Sequence, residues 1–325
     1  MNSKGRATPF RLIPAGKDYI WGGSRLKSEF GKNIDMTPLA ESWECSVHPD
    51  GMSIVGSGEY AGLTLSELLS NKPEYMGTRF SGVDEFPILI KFIDAAEDLS
   101  VQVHPNDDFA RKFEGQNGKT EMWYVLDAQP GAKLVCGFAH DMTPELIREA
   151  FAAGDLSKHL YYADVKPNDV FFIEAGTVHS IGSGCLLVEV QENSNVTYRV
   201  FDYNRTDKLG RKRELHIEKA ISALDMRTVD GMRQPMRLLR YTQGSASEHL
   251  CRCKHFEVDR VLVSSRFELS VGLQAFQVLL CLDGSGVLRH GGAELLLDKG
   301  DCVFLPAGCE KIDISGKMTL LWVRC

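Results

Sequence analysis

Short apolar runs, closed one after another by Gly, Pro, Asn or Asp, leave this chain few options other than a β-rich fold. Val170–Ile173, Leu186–Val190, Val196–Phe201, Val278–Leu282, Glu294–Leu297 and Met318–Val323 all read as strands. Turn signals fall between them at 166–169 (Lys-Pro-Asn-Asp), 283–286 (Asp-Gly-Ser-Gly), 290–292 (His-Gly-Gly) and 298–301 (Asp-Lys-Gly-Asp). Regular short strands with such turns predict a sandwich or barrel. Helices are few. Thr64-Leu-Ser-Glu67 has capping-box spacing and opens a short helix through Leu69. Thr143 ahead of Pro144 starts a helix that should run to about Ala153 and stop at Gly154, with Leu146, Ile147, Ala150 and Phe151 on one face. Leu215–Leu224 is a third candidate.

A repeat appears within this pattern. Asn168-Asp-Val-Phe-Phe-Ile-Glu-Ala-Gly176 parallels Gly300-Asp-Cys-Val-Phe-Leu-Pro-Ala-Gly308: in both, a turn and an Asp lead into an apolar strand that ends at Ala-Gly. The second copy has the G-x5-P-x-G spacing of cupin jelly rolls, in which a metal-binding His follows three residues after the last Gly. That place holds His179 in the first copy and Lys311 in the second. The expected architecture is therefore mainly β: two cupin-type jelly rolls with a small helical insertion around Asp141–Leu160. Residues 1–235 form the metal-binding unit and 236–325 a degenerate unit without metal. The polar stretch from Arg227 to Gln243 carries the boundary.

Composition narrows the partners. The 325 residues carry 37 basic and 44 acidic side chains, a net charge of −7, with 43% apolar residues. A mildly acidic globular chain offers no electrostatic footprint for nucleic acid or an anionic membrane, although a few local cations can still hold a small anion. Met1–Pro14 lacks the apolar core of a signal peptide, and no run approaches the ~18 apolar residues of a membrane span. The nine cysteines are odd in number and scattered, several within strand-like runs, as expected of reduced thiols in the cytoplasm.

The chemistry gathers around Ser100-Val-Gln-Val-His-Pro-Asn-Asp107. Gln102 and His104 are two apart and share a strand face. Glu121 opens the next strand-like run, and His179 follows the first Ala-Gly turn. Two imidazoles, a carboxylate and an amide oxygen make a mixed N/O set suited to zinc, with room for water or substrate. A lone strand His is more often a hydrogen-bonded core residue, but these occupy the places that cupin motifs reserve for metal.

The blocks Asp18–Gly22, Glu41–Gly51, Leu89–Ile93, Val101–Asn106, Gly118–Tyr124, Glu174–His179, Glu189–Arg199 and Arg213–His216 resemble the mannose-6-phosphate isomerases, particularly their short bacterial form, over most of residues 10–225. Cys251–Val258 and the degenerate second motif extend the likeness to the C-terminus. The resemblance implies a zinc-dependent aldose–ketose isomerase that interconverts mannose 6-phosphate and fructose 6-phosphate through an enediol. It implies one Zn2+ per chain on Gln102, His104, Glu121 and His179. Arg199 and Lys119 match catalytic positions, and Trp21, Glu41, His48, Lys91 and Ser100 match substrate-pocket positions. The expected partner is a phosphorylated hexose, and the sequence leaves the oligomeric state open.

The sequence also departs from the family pattern. An acid of the longer members is Asn195 here, a pocket tyrosine is Ile181, and the usual Gly and Pro of the first motif are Asn168 and Glu174. Two other readings stand beside the isomerase. One is a different metal enzyme on this fold, such as an iron dioxygenase. The other is a non-catalytic sugar-phosphate-binding protein. Gln102 together with Lys119 and Arg199 favours a phosphorylated substrate over dioxygen, and retention of all four expected ligands speaks against a decayed site. The basic run Lys208–Arg213 reads as a solvated loop whose edge could attract phosphate. Trp123, Tyr124, Phe171 and Phe172 read as core, and Cys45 as packing.

Overall fold

A computed structural model of the chain describes residues 7–83, 85–206, 210–228, 231–235 and 237–325. Lys208 and Leu209 of the basic run lie outside them. The architecture is mainly β, with five α-helices among the described residues. Three sheets carry it. A six-stranded sheet runs in the order Val170–Ile173, Glu121–Ala128, Cys185–Glu192, Ile88–Ala95, Glu41–Cys45, Ala15–Lys17. Facing it, a five-stranded sheet runs Tyr198–Phe201, Val101–Val103, His179–Ile181, Lys133–Phe138, Leu160–Asp164. Every pairing within the two is antiparallel.

The remaining ten-stranded sheet holds the strands of the C-terminal part, and it also takes in Phe10–Ile13 and Ile54–Val55 from the N-terminal end. Among the described residues from 237 onward every regular element is a strand. The lumen of this second jelly roll is filled by Val261, Val271, Leu279, Val303, Ile312, Ile314 and Leu320. Lys311 is 62% exposed and pairs with Glu268 outside that lumen.

Alternation explains how the two halves share one interior. Ile88–Ala95 is buried on both faces. Ile88, Ile90 and Phe92 face a large core shared with Phe276, Phe304 and Val323 of the C-terminal half, where Phe276 and Phe304 stack at 4.9 Å between ring centroids. Lys91 and Ile93 face the other way, into the first jelly roll. In Cys185–Glu192, Leu186, Val188 and Val190 join the shared core, and Glu189 points into the lumen. The same holds for Met122 and Tyr124 against Glu121 and Trp123. The second half thus packs behind the sheet that presents these charged groups.

The turn residues show why the repeat reads as it does. Asn168 and Gly300, at equivalent places in the two copies, both adopt positive φ, 72° and 95°, as do Gly176 (95°) and Gly308 (78°). Asn tolerates the left-handed region, so Asn168 can stand where the motif has glycine. Its side chain also accepts from the Tyr124 hydroxyl at 2.7 Å.

Both expected helix signals work. The Thr64 capping box is complete ahead of Leu65–Asn71, and Thr143 caps Pro144–Ala153, which ends at left-handed Gly154. Several expectations need correction. The third helix is shorter, Ile217–Ala223. Asp283–Gly286 is no turn but a bulged stretch inside the long strand Gln277–His290, where Gly286 lies opposite Gly316 and lets the strands pass closely. Val196 and Thr197 precede the strand rather than belong to it. Helices Arg25–Phe30 and Asp107–Phe113 were not expected; both are too short for a clear apolar period.

A Cβ on Gly300 would meet the Phe30 carbonyl oxygen at 2.3 Å, and its φ is unfavourable for any side chain. Gly300→Ala should therefore destabilise the protein by about 1–3 kcal/mol, the scale of a strained backbone site, read as a lower urea midpoint with an unchanged m-value.

Candidate active site

The two facing sheets bring one row of polar groups from each side into a common lumen. On the six-stranded sheet the register places Trp43, Lys91, Glu189 and Trp123 side by side, with Glu121 beside Gln191 two residues along. On the five-stranded sheet, Arg199, Gln102 and His179 lie in register. His104 continues the Gln102 face just past its strand. The rows enclose a cavity of about 240 Å3 lined by Tyr19, Trp21, Glu41, Lys91, Ser100, Gln102, Lys119, Glu189, Asn195, Thr197, Arg199 and Arg213, together with Ile93, Leu99 and Ile181.

Beneath it, His104, Glu121 and His179 converge, with one ligand-type atom from each within 4.8 Å of the others. All three are buried. The Nδ1 atoms of His104 and His179 lie 2.8 Å from the carbonyl oxygens of Val196 and Thr177. A carbonyl can only accept, so each Nδ1 carries the hydrogen and each Nε2 presents a bare lone pair. Those two Nε2 atoms face each other at 3.1 Å. Glu121 Oε1 lies 3.4 Å from His179 Nε2 and has no hydrogen-bond donor. Burial, and secondarily Lys119, pushes both imidazoles down, His179 to about 4, so they stay neutral. Two lone pairs and a carboxylate oxygen aimed at one buried point repel one another unless a cation joins them.

Lys119 is the cation closest to that point. Its Nζ lies 3.0 Å from His104 Nε2, and it is hydrogen-bonded to Glu121 Oε2. Glu189 lies between Lys119 (3.9 Å) and Lys91 (3.0 Å) and accepts from Trp123 Nε1 at 3.0 Å. Burial acts to raise the Glu189 pKa, but the two lysines outweigh it and hold it at about 2. Burial and Glu189 together push Glu121 up to about 7, against Lys119. Burial would lower Lys91, yet Glu189 and Glu41 raise it. Its charge is therefore spent inside the protein.

Arg199 differs. Its Nη1 donates to the Glu214 carbonyl at 2.9 Å and its Nε to Ser100 Oγ at 3.3 Å, and among the described residues no carboxylate pairs with it. Asp202, the carboxylate whose charge acts on Arg199, is engaged elsewhere and holds Arg205 and Arg213. The lining carries four basic and two acidic side chains in an otherwise acidic protein. An anionic ligand is what such a cavity takes.

Trp21, Glu41, Lys91, Ser100, Gln102, Lys119 and Arg199 thus line the cavity, and His104, Glu121 and His179 lie beneath it. His48 does not line it. Past Cys45 the chain has left the sheet, and His48 turns toward Gln116, 3.4 Å away, and the Asp50 N–H. Five polar lining residues were not among the expected site positions: Tyr19, Glu189, Asn195, Thr197 and Arg213. An acid within the apolar run Leu186–Val190 was the available signal for Glu189. Arg213 ends the basic run that reads as a solvated loop, and Asp202 draws it inward. Cys45 is fully buried with its thiol pushed up by burial, which suits packing. All nine cysteines are free.

Comparison with known proteins places this geometry. The model of the phosphomannose isomerase type I catalytic domain matches residues 9–139, and that of the mannose-6-phosphate isomerase cupin domain matches 246–325. A mannose-6-phosphate isomerase of Streptococcus mutans is 37% identical over 315 residues, covering 97% of this chain and 98% of the relative. The chain belongs to the mannose-6-phosphate isomerase family. The crystal structure of the mannose 6-phosphate isomerase from Bacillus subtilis superposes with a TM-score of 0.90 at 34% identity, covering 97% of this chain and 99% of that one. A zinc-bound mannose 6-phosphate isomerase shares the fold at TM-score 0.77 and 18% identity, covering 98% of this chain and 99% of that one.

Glu189 gives a test of the buried charge row. Glu189→Gln leaves Lys91 and Lys119 undercompensated and should cost about 3 kcal/mol in urea unfolding at pH 7. The native carboxyl, depressed to about 2, contributes stability that is present above the unfolded value near 4.5 and is lost as pH falls toward 2. That part of the acid dependence should be missing in the variant.

Proposed function

We propose that this protein is a zinc-dependent isomerase interconverting mannose 6-phosphate and fructose 6-phosphate through an enediol, with Gln102, His104, Glu121 and His179 as the metal ligands. The observation that carries the reading is the pair of inward-facing Nε2 lone pairs beside an unsatisfied carboxylate oxygen, at the floor of a cavity with a net positive lining. Two imidazoles and a carboxylate are the donor chemistry zinc takes. Gln102 has Oε1 3.3 Å from Ser100 Oγ and Nε2 3.5 Å from His179 Nε2. Turning its amide would bring the oxygen to the same point and give Ser100 an N–H to accept. When bound, the metal would supply positive charge that polarises the substrate oxygens.

The protein's own groups do the rest. Moving a proton between adjacent carbons builds negative charge on oxygen, and Arg199 offers fixed, permanently charged donors for it. Ser100 and the Glu214 carbonyl hold that guanidinium in place. Lys119 lies between the ligand site and the cavity, in the position of a proton-transfer group. Lys91 keeps Glu189 ionised beside it. We read residues 1–235 as the catalytic unit and 236–325 as its metal-free support.

A coupled assay with mannose 6-phosphate is the direct test. Turnover should vanish on chelation and return with added zinc, and a fully active chelated protein would end the reading. His104→Ala should lose both zinc and activity. Zinc should stay bound at pH 5, where the buried imidazoles remain neutral, and leave only as the pH falls below about 4, because protonated imidazole cannot ligate. Arg199→Lys keeps charge but not the donor fork, and should lower kcat by ~10²-fold with zinc content unchanged. Lys119→Met should also retain zinc and lose turnover. Near-normal kcat in the Arg199→Lys variant would remove Arg199 from the mechanism.

A further inference from the structure

Three consecutive backbone N–H groups fix the loop that delivers Lys119. The Gly118 N–H donates to Asp107 Oδ1 at 3.0 Å, the Lys119 N–H to the Pro105 carbonyl at 3.1 Å, and the Thr120 N–H to Glu192 Oε1 at 2.8 Å. The approach is close enough that a Cβ on Gly118 would meet the Asp107 nitrogen at 2.5 Å. Two of the three acceptors are carboxylates, and both are held from behind by the C-terminal half. At the tip of the hairpin between Ser245–Arg252 and Glu257–Val263, His255 Nδ1 lies 3.3 Å from Glu192 Oε2, and Lys254 Nζ lies 2.8 Å from Asp107 Oδ2. Lys254 is 70% exposed and screened, whereas the His255 side chain is 18% exposed and Glu192 only 4%.

A carboxylate oxygen of Asp107, one of Glu192 and a ring nitrogen of His255 lie within 4.8 Å of one another. Burial and the neighbouring Asp107 raise Glu192 to about 7, against the Thr120 N–H, while Lys254, the Gly118 N–H and Glu192 hold Asp107 at about 2 despite burial. The His255 imidazole lies against Glu192 Oε2 and gives that oxygen a fixed partner.

We propose that His255 is a positioning residue for the isomerisation: through Glu192 it locks the Gly118–Thr120 backbone and so sets where Lys119 enters the cavity. This rests on the reading of Lys119 given above. It assigns the C-terminal half a part in turnover that its apolar-filled lumen does not suggest. A displacement of a reacting group by even an ångström is felt in kcat rather than in substrate affinity.

The test uses three variants of the full zinc-loaded chain. His255→Ala and His255→Phe remove the ring nitrogen, without and with filling of its space, and His255→Asn returns an N–H near the Nδ1 position. The first two should lower kcat roughly tenfold, with KM for mannose 6-phosphate and zinc content unchanged. Hydrogen exchange at the 118 and 120 amides should accelerate while the rest of the chain keeps its protection. His255→Asn should recover most of both. Wild-type kcat and exchange in His255→Phe would overturn the proposal, and so would a His255→Asn variant as impaired as His255→Ala, which would mark mere packing. Lys119→Met reports separately. If it turns over normally, the catalytic reading of Lys119 fails, while amide exchange in the His255 variants still decides whether the hairpin holds the loop.

Discussion

Two buried imidazoles with their Nε2 atoms turned toward each other set the terms for the rest of this protein. Each is fixed by a backbone carbonyl on Nδ1, so neither ring can rotate away from the other without orphaning a buried N–H. The 3.1 Å approach of their Nε2 atoms is tolerable only beside positive charge. Everything near them serves that requirement. Glu121 adds a third donor, Lys119 a nearby cation, and Glu189 and Lys91 extend the charges in alternating sign across the sheet. Removing one member would leave its neighbour buried and uncompensated, which is why so many ionisable groups can coexist in so small a volume.

Such a row of charges has to be built on strands buried on both faces. Ile88–Ala95 and Cys185–Glu192 meet that condition because the second jelly roll covers their outer sides. A solvated outer face would leave the sheet free to twist and breathe, and the row of Lys91, Glu189 and Trp123 would lose its register. The aromatic stack of Phe10, Phe304, Phe276 and Phe86 behind this sheet is thus part of the site's construction although none of it touches the cavity. The exchange of strands reinforces it, because Phe10–Ile13 comes from the N-terminal end yet pairs with Cys302–Leu305.

Much of this was legible in the sequence wherever a residue's local chemistry and its distant partners agree. The repeated turn–Asp–strand–Ala-Gly segments mark both jelly rolls because left-handed turns need Gly or Asn at 168, 176, 300 and 308 regardless of context. The polar–apolar alternation of Asn195–Val200 places Asn195, Thr197 and Arg199 along the cavity and buries Val196, Tyr198 and Val200. That pattern survives although the strand begins only at Tyr198. What local sequence does not decide is settled by where the chain runs next or by a distant partner. Asp283–Gly286 has turn composition, but Gly316 lies opposite Gly286 and the strand runs through. His48 sits in a block that matches the family, yet the chain leaves the sheet before it. Arg213 carries the look of a solvated charge, and only Asp202, eleven residues away, brings it to the cavity.

The fate of Asp202 explains why Arg199 keeps its charge available. An arginine beside a carboxylate would ordinarily be neutralised by it. Here Asp202 carries two other guanidiniums. Arg199 is left with a carbonyl and a hydroxyl, which orient it without cancelling its charge. Its positive field stays available to a ligand entering the cavity, at the cost of a partly desolvated cation that burial and Arg213 both disfavour. Stability alone would not select that arrangement, since any nearby acid would relieve it. In a chain of acidic net charge, a guanidinium that no carboxylate pairs among the described residues leaves its positive field open to the polar cavity it faces.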